Sequence, residues 1–269
     1  MENKRVLFFD SGVGGLSIYE EVKKAVPQLE GLYLFDHECF PYGSKSESFL
    51  LRRIGELLTG ACRRFEPQAV VVACNTASTV VLPTLRQHMT LPVVGVVPAI
   101  KPAAALSQKK IIALLATPGT VEREYTKALI ADFASDCRVL CLGSADLANI
   151  AELRVSRGSV DEQAIAEILK PICALPESEK PDVVVLGCTH YPFIRDILQK
   201  LLPGMTIIDS GEAIGRRVRE VLRQNGVDFA GEEPPGAARA FYTGHLEHYE
   251  DRLSMVRRFG FVSLEQFEL

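Results

Sequence analysis

Two valine-rich runs, each ending at a thiol, constrain this chain more than any other feature. The first reads Val70-Val71-Val72-Ala73-Cys74-Asn75-Thr76, and the second Val183-Val184-Val185-Leu186-Gly187-Cys188-Thr189-His190. A continuous β-branched stretch marks a strand buried on both faces, which is a strand of a parallel sheet covered by helices. Ligands of open parallel sheets sit beyond the carboxyl ends of the strands, where both of these runs stop. Two such endings in one duplicated chain can direct two thiols at opposite faces of one small substrate. That is the arrangement of a two-base proton transfer at carbon.

Apolar runs alternate with amphipathic ones along most of the sequence. Strands are predicted at 6–9, 32–35, 69–73, 93–97, 111–116, 138–142, 183–186 and 206–208. Between the second and third, Leu50, Leu51, Ile54, Leu57, Leu58, Ala61, Cys62 and Phe65 recur at helical spacing. A second helix is predicted to start at Ser159, with Glu162 completing a capping box, and to bury Ile165, Ile168, Leu169 and Ile172. Strands separated by helices imply parallel βαβ units. The halves echo each other beyond the thiol runs, because Val6-Leu7-Phe8-Phe9-Asp10-Ser11-Gly12 and Ile111-Ile112-Ala113-Leu114-Leu115-Ala116-Thr117-Pro118-Gly119 each open a hydrophobic strand into a hydroxyl-and-glycine turn. The expected fold is therefore α/β, with two similar doubly wound domains, parallel-rich sheets, a pseudo-twofold duplication and an active site in the cleft between them. One domain is expected over 1–97 plus 209–269, and the other over 98–208. Pro98 and Pro102 lie near one crossing, and Asp209-Ser210-Gly211 near the other.

Composition removes several classes of function. The 269 residues carry a formal net charge of −4, without a basic stripe interleaved with aromatics, so nucleic acid is not expected as a main partner. The apolar runs are far shorter than the roughly 18–20 residues that cross a bilayer, and no membrane association is expected. Met1 leads into the first strand without a signal-peptide pattern, so a cytoplasmic enzyme with reduced cysteines is expected. Cys39, Cys62, Cys137, Cys141 and Cys173 read as structural, and no metal site is expected, since Cys137 and Cys141 lack a second ligand pair and His245 and His248 lack a third ligand. The turn Asp10-Ser11-Gly12-Val13-Gly14-Gly15 invites a phosphate or dinucleotide reading, but Leu16 and Ser17 stand where the third glycine is required. The alternative is that Asp10 and Ser11 face the substrate or the nearby thiol, while the glycines let the backbone turn closely.

Four motifs in order carry a resemblance: Phe9-Asp10-Ser11-Gly12-Val13-Gly14-Gly15-Leu16, Pro41-Tyr42-Gly43, Ala73-Cys74-Asn75-Thr76-Ala77-Ser78 and Leu186-Gly187-Cys188-Thr189-His190-Tyr191-Pro192. Together they resemble the glutamate racemases of the aspartate/glutamate racemase superfamily, over nearly the whole chain. The segments Val94-Gly95-Val96-Val97-Pro98-Ala99-Ile100-Lys101-Pro102 and Leu142-Gly143-Ser144-Ala145 look closest to the gammaproteobacterial branch. The resemblance implies interconversion of L- and D-glutamate without a cofactor, supplying D-glutamate for peptidoglycan. It implies that Cys74 and Cys188 are the catalytic thiols, Cys74 acting on the D-enantiomer and Cys188 on the L-enantiomer. Asp10 and His190 would assist the respective thiols, with Glu152 a further acidic site residue. It implies too that Asp10, Ser11, Tyr42, Gly43, Asn75, Thr76, Thr189 and His190 bind substrate, and that UDP-N-acetylmuramoyl-L-alanine activates. The stretch Phe35-Asp36-His37-Glu38-Cys39-Phe40 departs from the pattern, lacking the arginine that many members have before the Pro-Tyr-Gly motif.

The chemistry fits these residue types. Removing a Cα proton without an imine-forming cofactor leaves an enolate-like carbanion, and each pK unit of mismatch with the base costs about 1.4 kcal/mol. A free thiol titrates near 8.5 and acts only as thiolate, so a neighbour must take its proton. No lysine presents itself for a Schiff base, and pyridoxal phosphate is unsupported. Two alternatives remain at this level: an aspartate racemase, whose substrate differs by one methylene, and a regulatory module that binds an amino acid without turning it over.

Overall fold

The computed structural model describes residues 4–227 and 236–269. The strands are β1 (Arg5–Asp10), β2 (Glu30–Phe35), β3 (Ala69–Val72), β4 (Val93–Gly95), β5 (Ile111–Ala116), β6 (Arg138–Gly143), β7 (Val183–Leu186), β8 (Thr206–Ile208), β9 (Arg239–Tyr242) and β10 (Ser263–Gln266). They form two sheets, in the orders β10-β9-β2-β1-β3-β4 and β6-β5-β7-β8. Every pairing is parallel. The chain divides into two compact units, Met1–Val96 with Gly211–Leu269, and Val97–Ser210.

Duplication is visible at the level of single hydrogen bonds. In each unit the first strand is central, its successor lies on one side, and the third and fourth lie on the other. Ala73 N donates to Phe9 O in the first unit and Gly187 N to Leu115 O in the second, both at 2.7 Å. Asp36 N donates to Asp10 O, and Ser144 N to Ala116 O, both at 2.9 Å. Phe9 and Leu115 are thus equivalent, and so are Ala73 and Gly187. The thiols follow one residue later in each case.

Alternation along the buried strands explains why helices cover both faces. In the second unit, Ala113, Leu115, Val184 and Leu186 point into one core with Leu147, Ile165 and Leu169. Ile112, Leu114, Val183 and Val185 point into the other with Ile100 and Ala103. Removing one such Leu side chain to Ala costs about 2–5 kcal/mol, so neither face tolerates polar substitution. The helix Glu47–Phe65 buries Leu50, Ile54, Leu57, Leu58, Ala61 and Phe65, starts on a Ser46 cap that accepts from Phe49 N, and stops at Glu66 in the left-handed region. Leu51 and Cys62 lie at the half-buried margin of that face.

Two expectations need correction. The helix predicted to start at Ser159 begins at Glu162, capped by Asp161, whose carboxylate accepts from Ala164 N at 2.9 Å. A carboxylate one residue before the first turn outcompetes a serine three before it, since a cap must reach the second or third helical N–H. The strands β9 and β10, which extend the first sheet past β2, were not anticipated. Each has only four residues, and Arg239, Ser263, Glu265 and Gln266 break the apolar run that marks a buried strand. The helix Gly211–Gln224 brings the chain back into the first unit against the helix Leu16–Ala25. Gly215 permits this approach, because a Cβ there would lie 2.7 Å from the Glu21 carbonyl oxygen.

Candidate active site

Each thiol stands beyond the point where strand order reverses. β1 is flanked by β2 and β3, and β5 by β6 and β7, so the loops after β1 and β3, or after β5 and β7, diverge to opposite faces and leave a crevice. Asp10 ends β1, and Cys74 lies two residues past β3. Ala116 ends β5, and Cys188 lies two residues past β7. Both thiols are buried, Cys74 being 5% and Cys188 7% exposed.

The first half-site is built from main chain and hydroxyls. Asp10 Oδ1 accepts from Ser11 N at 2.5 Å, Ser11 Oγ at 3.1 Å and Gly12 N at 3.2 Å, which folds the turn onto the carboxylate. Gly15 is required by crowding, since a Cβ there would stand 2.9 Å from Asp10 Oδ2, Tyr33 Oη and Ala73 Cβ alike. The N–H groups of Leu16 and Ser17 donate to Val13 O and Gly14 O, so the turn uses donors that a phosphate would need. Ser11 Oγ and Cys74 Sγ lie 3.8 Å apart. Cys74 Sγ caps the helix Asn75–His88 by accepting from Ala77 N at 3.4 Å, which places the sulfur at the positive end of the helix. Asn75 and Thr76, both 4% exposed, form the first turn. Asn75 Oδ1 is buried without a donor among the described residues. A ligand N–H, such as an ammonium, would complete it; left bare, it costs about 1–3 kcal/mol. Tyr42, at the turn Tyr42–Ser44, is buried, and Gly43 follows it.

The second half-site is built from ionisable side chains. His190 Nδ1 lies 3.7 Å from Cys188 Sγ, and His190 Nε2 lies 2.8 Å from Glu152 Oε2. Glu152 projects from the helix Asp146–Arg157 and is 8% exposed, and His190 is 3% exposed. Burial works against a charged imidazole, yet the hydrogen bonds to Cys188 and Glu152 hold the His190 pKa well above its ordinary value. The chain Cys188–His190–Glu152 thus couples a thiol to a proton acceptor that a carboxylate orients, as in nucleophile–base–acid constellations generally. Thr189 is buried beside it. Tyr191 is fully buried and donates to Ser144 O at 3.0 Å; burial and the Cys188 charge push its pKa well up.

The sequence-predicted residues therefore gather in two groups: Asp10, Ser11, Tyr42, Gly43, Cys74, Asn75 and Thr76 in the first unit, and Glu152, Cys188, Thr189 and His190 in the second. Sequence reasoning missed Thr120, whose Oγ1 lies 3.0 Å from Thr117 Oγ1 in a buried pair beyond β5. It missed Asp36 as well, which accepts from the Tyr42 hydroxyl, and Arg53 and Thr243, which donate to that carboxylate. Available signals were weak: Asp36 follows a buried strand, and Arg53 interrupts the apolar face of its helix.

Two similar parallel α/β units, each with a buried thiol at its switch point, place the chain in the class of α/β racemases. The chain belongs to the Asp/Glu/hydantoin racemase family, whose model matches residues 12–218. It is 46% identical to the glutamate racemase of Salmonella typhimurium over 262 residues, covering 97% of this chain and 91% of that protein. Among solved structures, Escherichia coli glutamate racemase in complex with L-glutamate and the activator UDP-MurNAc-Ala superimposes with a TM-score of 0.91 at 44% identity, covering 99% of this chain and 98% of that one. Glutamate racemase from Thermus thermophilus in complex with β-chloro-D-alanine matches with a TM-score of 0.78 at 28% identity, over 99% and 98% of the two chains. No helix among the described residues is long and apolar enough to cross a membrane.

Proposed function

We propose that this protein interconverts L- and D-glutamate by a two-thiol proton transfer and supplies D-glutamate for peptidoglycan synthesis. The observation that carries this is the equivalence of Cys74 and Cys188, each two residues past a buried strand at a switch point, in a chain whose relatives are glutamate racemases. One thiolate takes the Cα proton and the other thiol returns one to the opposite face, so both must reach the same Cα. Cys188 passes its proton to His190, which Glu152 holds in orientation. Cys74 is served by the helix N-terminus, Ser11 and Asp10. Ser11, Thr76 and Thr189 hydroxyls and main-chain donors hold the carboxylates, including the one onto which carbanion charge spreads, and the Asn75 carbonyl oxygen meets the ammonium.

Glutamate is favoured over aspartate by the relatives, since one methylene is worth only about 1–3 kcal/mol of discrimination. The protein acts in the cytoplasm, in keeping with seven free cysteines. Activation by UDP-N-acetylmuramoyl-L-alanine follows the Escherichia coli relative, and requires that the activator bind the competent conformation more tightly than the idle one. The test is incubation with L-glutamate in heavy water, with and without that precursor, following Cα–H exchange and optical rotation. Exchange and loss of rotation without added cofactor, increased by the precursor, are expected. Binding of glutamate without exchange under either condition would leave a regulatory module instead, and turnover of aspartate alone would reassign the substrate.

A further inference from the structure

The Tyr42 hydroxyl is already committed within the protein. Its Oη donates to Asp36 Oδ2 at 2.7 Å, and the side chain is 1% exposed. Asp36, fully buried just past β2, also receives Arg53 Nε at 3.1 Å on Oδ2, and Arg53 Nη2 at 2.7 Å and Thr243 Oγ1 at 2.5 Å on Oδ1. The network closes on itself, because Thr243 Oγ1 accepts from Glu38 N at 3.3 Å and Arg53 Nη2 reaches Glu38 Oε2 at 2.7 Å. Four segments of the first unit therefore meet at one carboxylate. Burial would raise the Asp36 pKa, but the hydrogen bonds from Arg53, Thr243 and Tyr42 hold it below the usual range, so it remains an acceptor. Burial and the Asp36 charge in turn push the Tyr42 phenol well above its ordinary value, so it remains a donor. A phenol has one proton, and this one is donated to Asp36.

We propose that Asp36, assisted by Arg53 and Thr243, is a positioning residue for substrate binding: it anchors Tyr42 by the hydroxyl, so that Tyr42 and Gly43 meet a substrate carboxylate with main-chain N–H groups and not with the phenol. The role rests on glutamate being the substrate. A buried, charged hub beneath a binding turn fixes the turn to within a fraction of an ångström, and misplacement of about 1 Å can cost up to 10²-fold in rate. Neutral packing residues would fill the same space without fixing where the turn points.

A double-mutant cycle on kcat/KM for both glutamate enantiomers tests this. Asp36→Asn and Tyr42→Phe each lower kcat/KM by about tenfold, and the double variant is no worse than Asp36→Asn, because the hydroxyl acts only through that carboxylate. Multiplied losses in the double variant, the result for a hydroxyl that donates directly to substrate, would overturn the proposal. Arg53→Lys should retain more activity than Arg53→Met; where Asp36→Asn does not fold, Arg53→Met takes its place in the cycle. A second signal is independent of turnover: in protein carrying 13C-labelled tyrosine, the Tyr42 ring stays neutral while ordinary tyrosines titrate near about 10, and Asp36→Asn returns it toward that value. Ordinary titration in the wild type would sink the anchoring role. Absence of glutamate turnover in the wild type would remove the proposed activity alone, and the tyrosine titration would still decide whether Asp36 holds the hydroxyl.

Discussion

The two thiols occupy the same address in the same topology, yet they are supported by opposite kinds of chemistry. Cys74 rests on fixed dipoles: it caps a helix through Ala77 N and lies beside the Ser11 hydroxyl, itself bonded to Asp10. Cys188 rests on a titrating partner, His190, backed by Glu152. Cys74 is itself the cap of the fourteen-residue helix Asn75–His88, whereas the chain after Cys188 makes a four-residue turn, Tyr191–Ile194, before the helix Arg195–Leu201 begins. The first thiol therefore touches a helix N-terminus directly, and the second has the ionisable side chains of His190 and Glu152 in its place. Under the proposed two-thiol mechanism, duplication preserved the place of each base but not the means of activating it, and a reversible racemase demands only that both bases work, not that they work alike.

The largest effect expected from breaking this pair is on the thiols themselves. Cys74→Ser and Cys188→Ser each lower racemisation by on the order of 10³-fold or more in both directions, since serine is a far weaker base. With a substrate analogue carrying a leaving group at the β-carbon, Cys74→Ser keeps elimination from the L-form and Cys188→Ser from the D-form. Chiral elimination assays check this, and equal losses on both enantiomers would exclude two opposed thiols. Next in size is the relay, which is confined to the second unit. His190→Gln lowers racemisation in both directions by about 10²-fold, and Glu152→Gln by less, while elimination from the D-form analogue through Cys74 changes little. Equal loss of elimination from the L- and D-form analogues would show that His190 serves the two thiols jointly.

The same relay makes the stability of the second unit sensitive to pH. A histidine whose pKa is raised on folding contributes stability in full below its unfolded value of about 6.5, and that contribution disappears as pH rises through the raised native value. The melting-temperature gap between wild type and His190→Gln is therefore widest near pH 6 and narrows toward alkaline pH, where thermal unfolding at several pH values reads it. A gap that widens with pH would mean that the buried imidazole is neutral. The smallest effect distinguishes the helix cap. Cys74→Ala loses a cap worth about 1 kcal/mol that Cys74→Ser keeps, whereas Ser and Ala at Cys188 differ little. Denaturant midpoints of the four variants measure the contrast.

Much of this molecule was legible in its sequence, because buried parallel strands declare themselves by composition. Val70-Val71-Val72 and Val183-Val184-Val185 can lie only in sheets covered on both faces, and the residues where such runs stop are the residues at the ligand end. The echo of two strand-to-turn units fixed the duplicated fold in the same way, since local propensity and the alternation of strand and helix act within short windows. What lay beyond the sequence was every relation between distant positions. Nothing in the spacing of Glu152 and His190, or of Asp36, Arg53 and Thr243, says that they touch; strand order and helix docking bring each set within hydrogen-bond reach. β9 and β10 escaped notice because they extend one edge of the first sheet, β9 against β2 and β10 against β9, where their own residues need not be apolar throughout. The sequence by itself determined which residues end at the crevice, because strand burial is a local property. Only the tertiary structure decided which charges meet there, because a buried ion or hydrogen-bond partner is chosen by proximity in space and not along the chain.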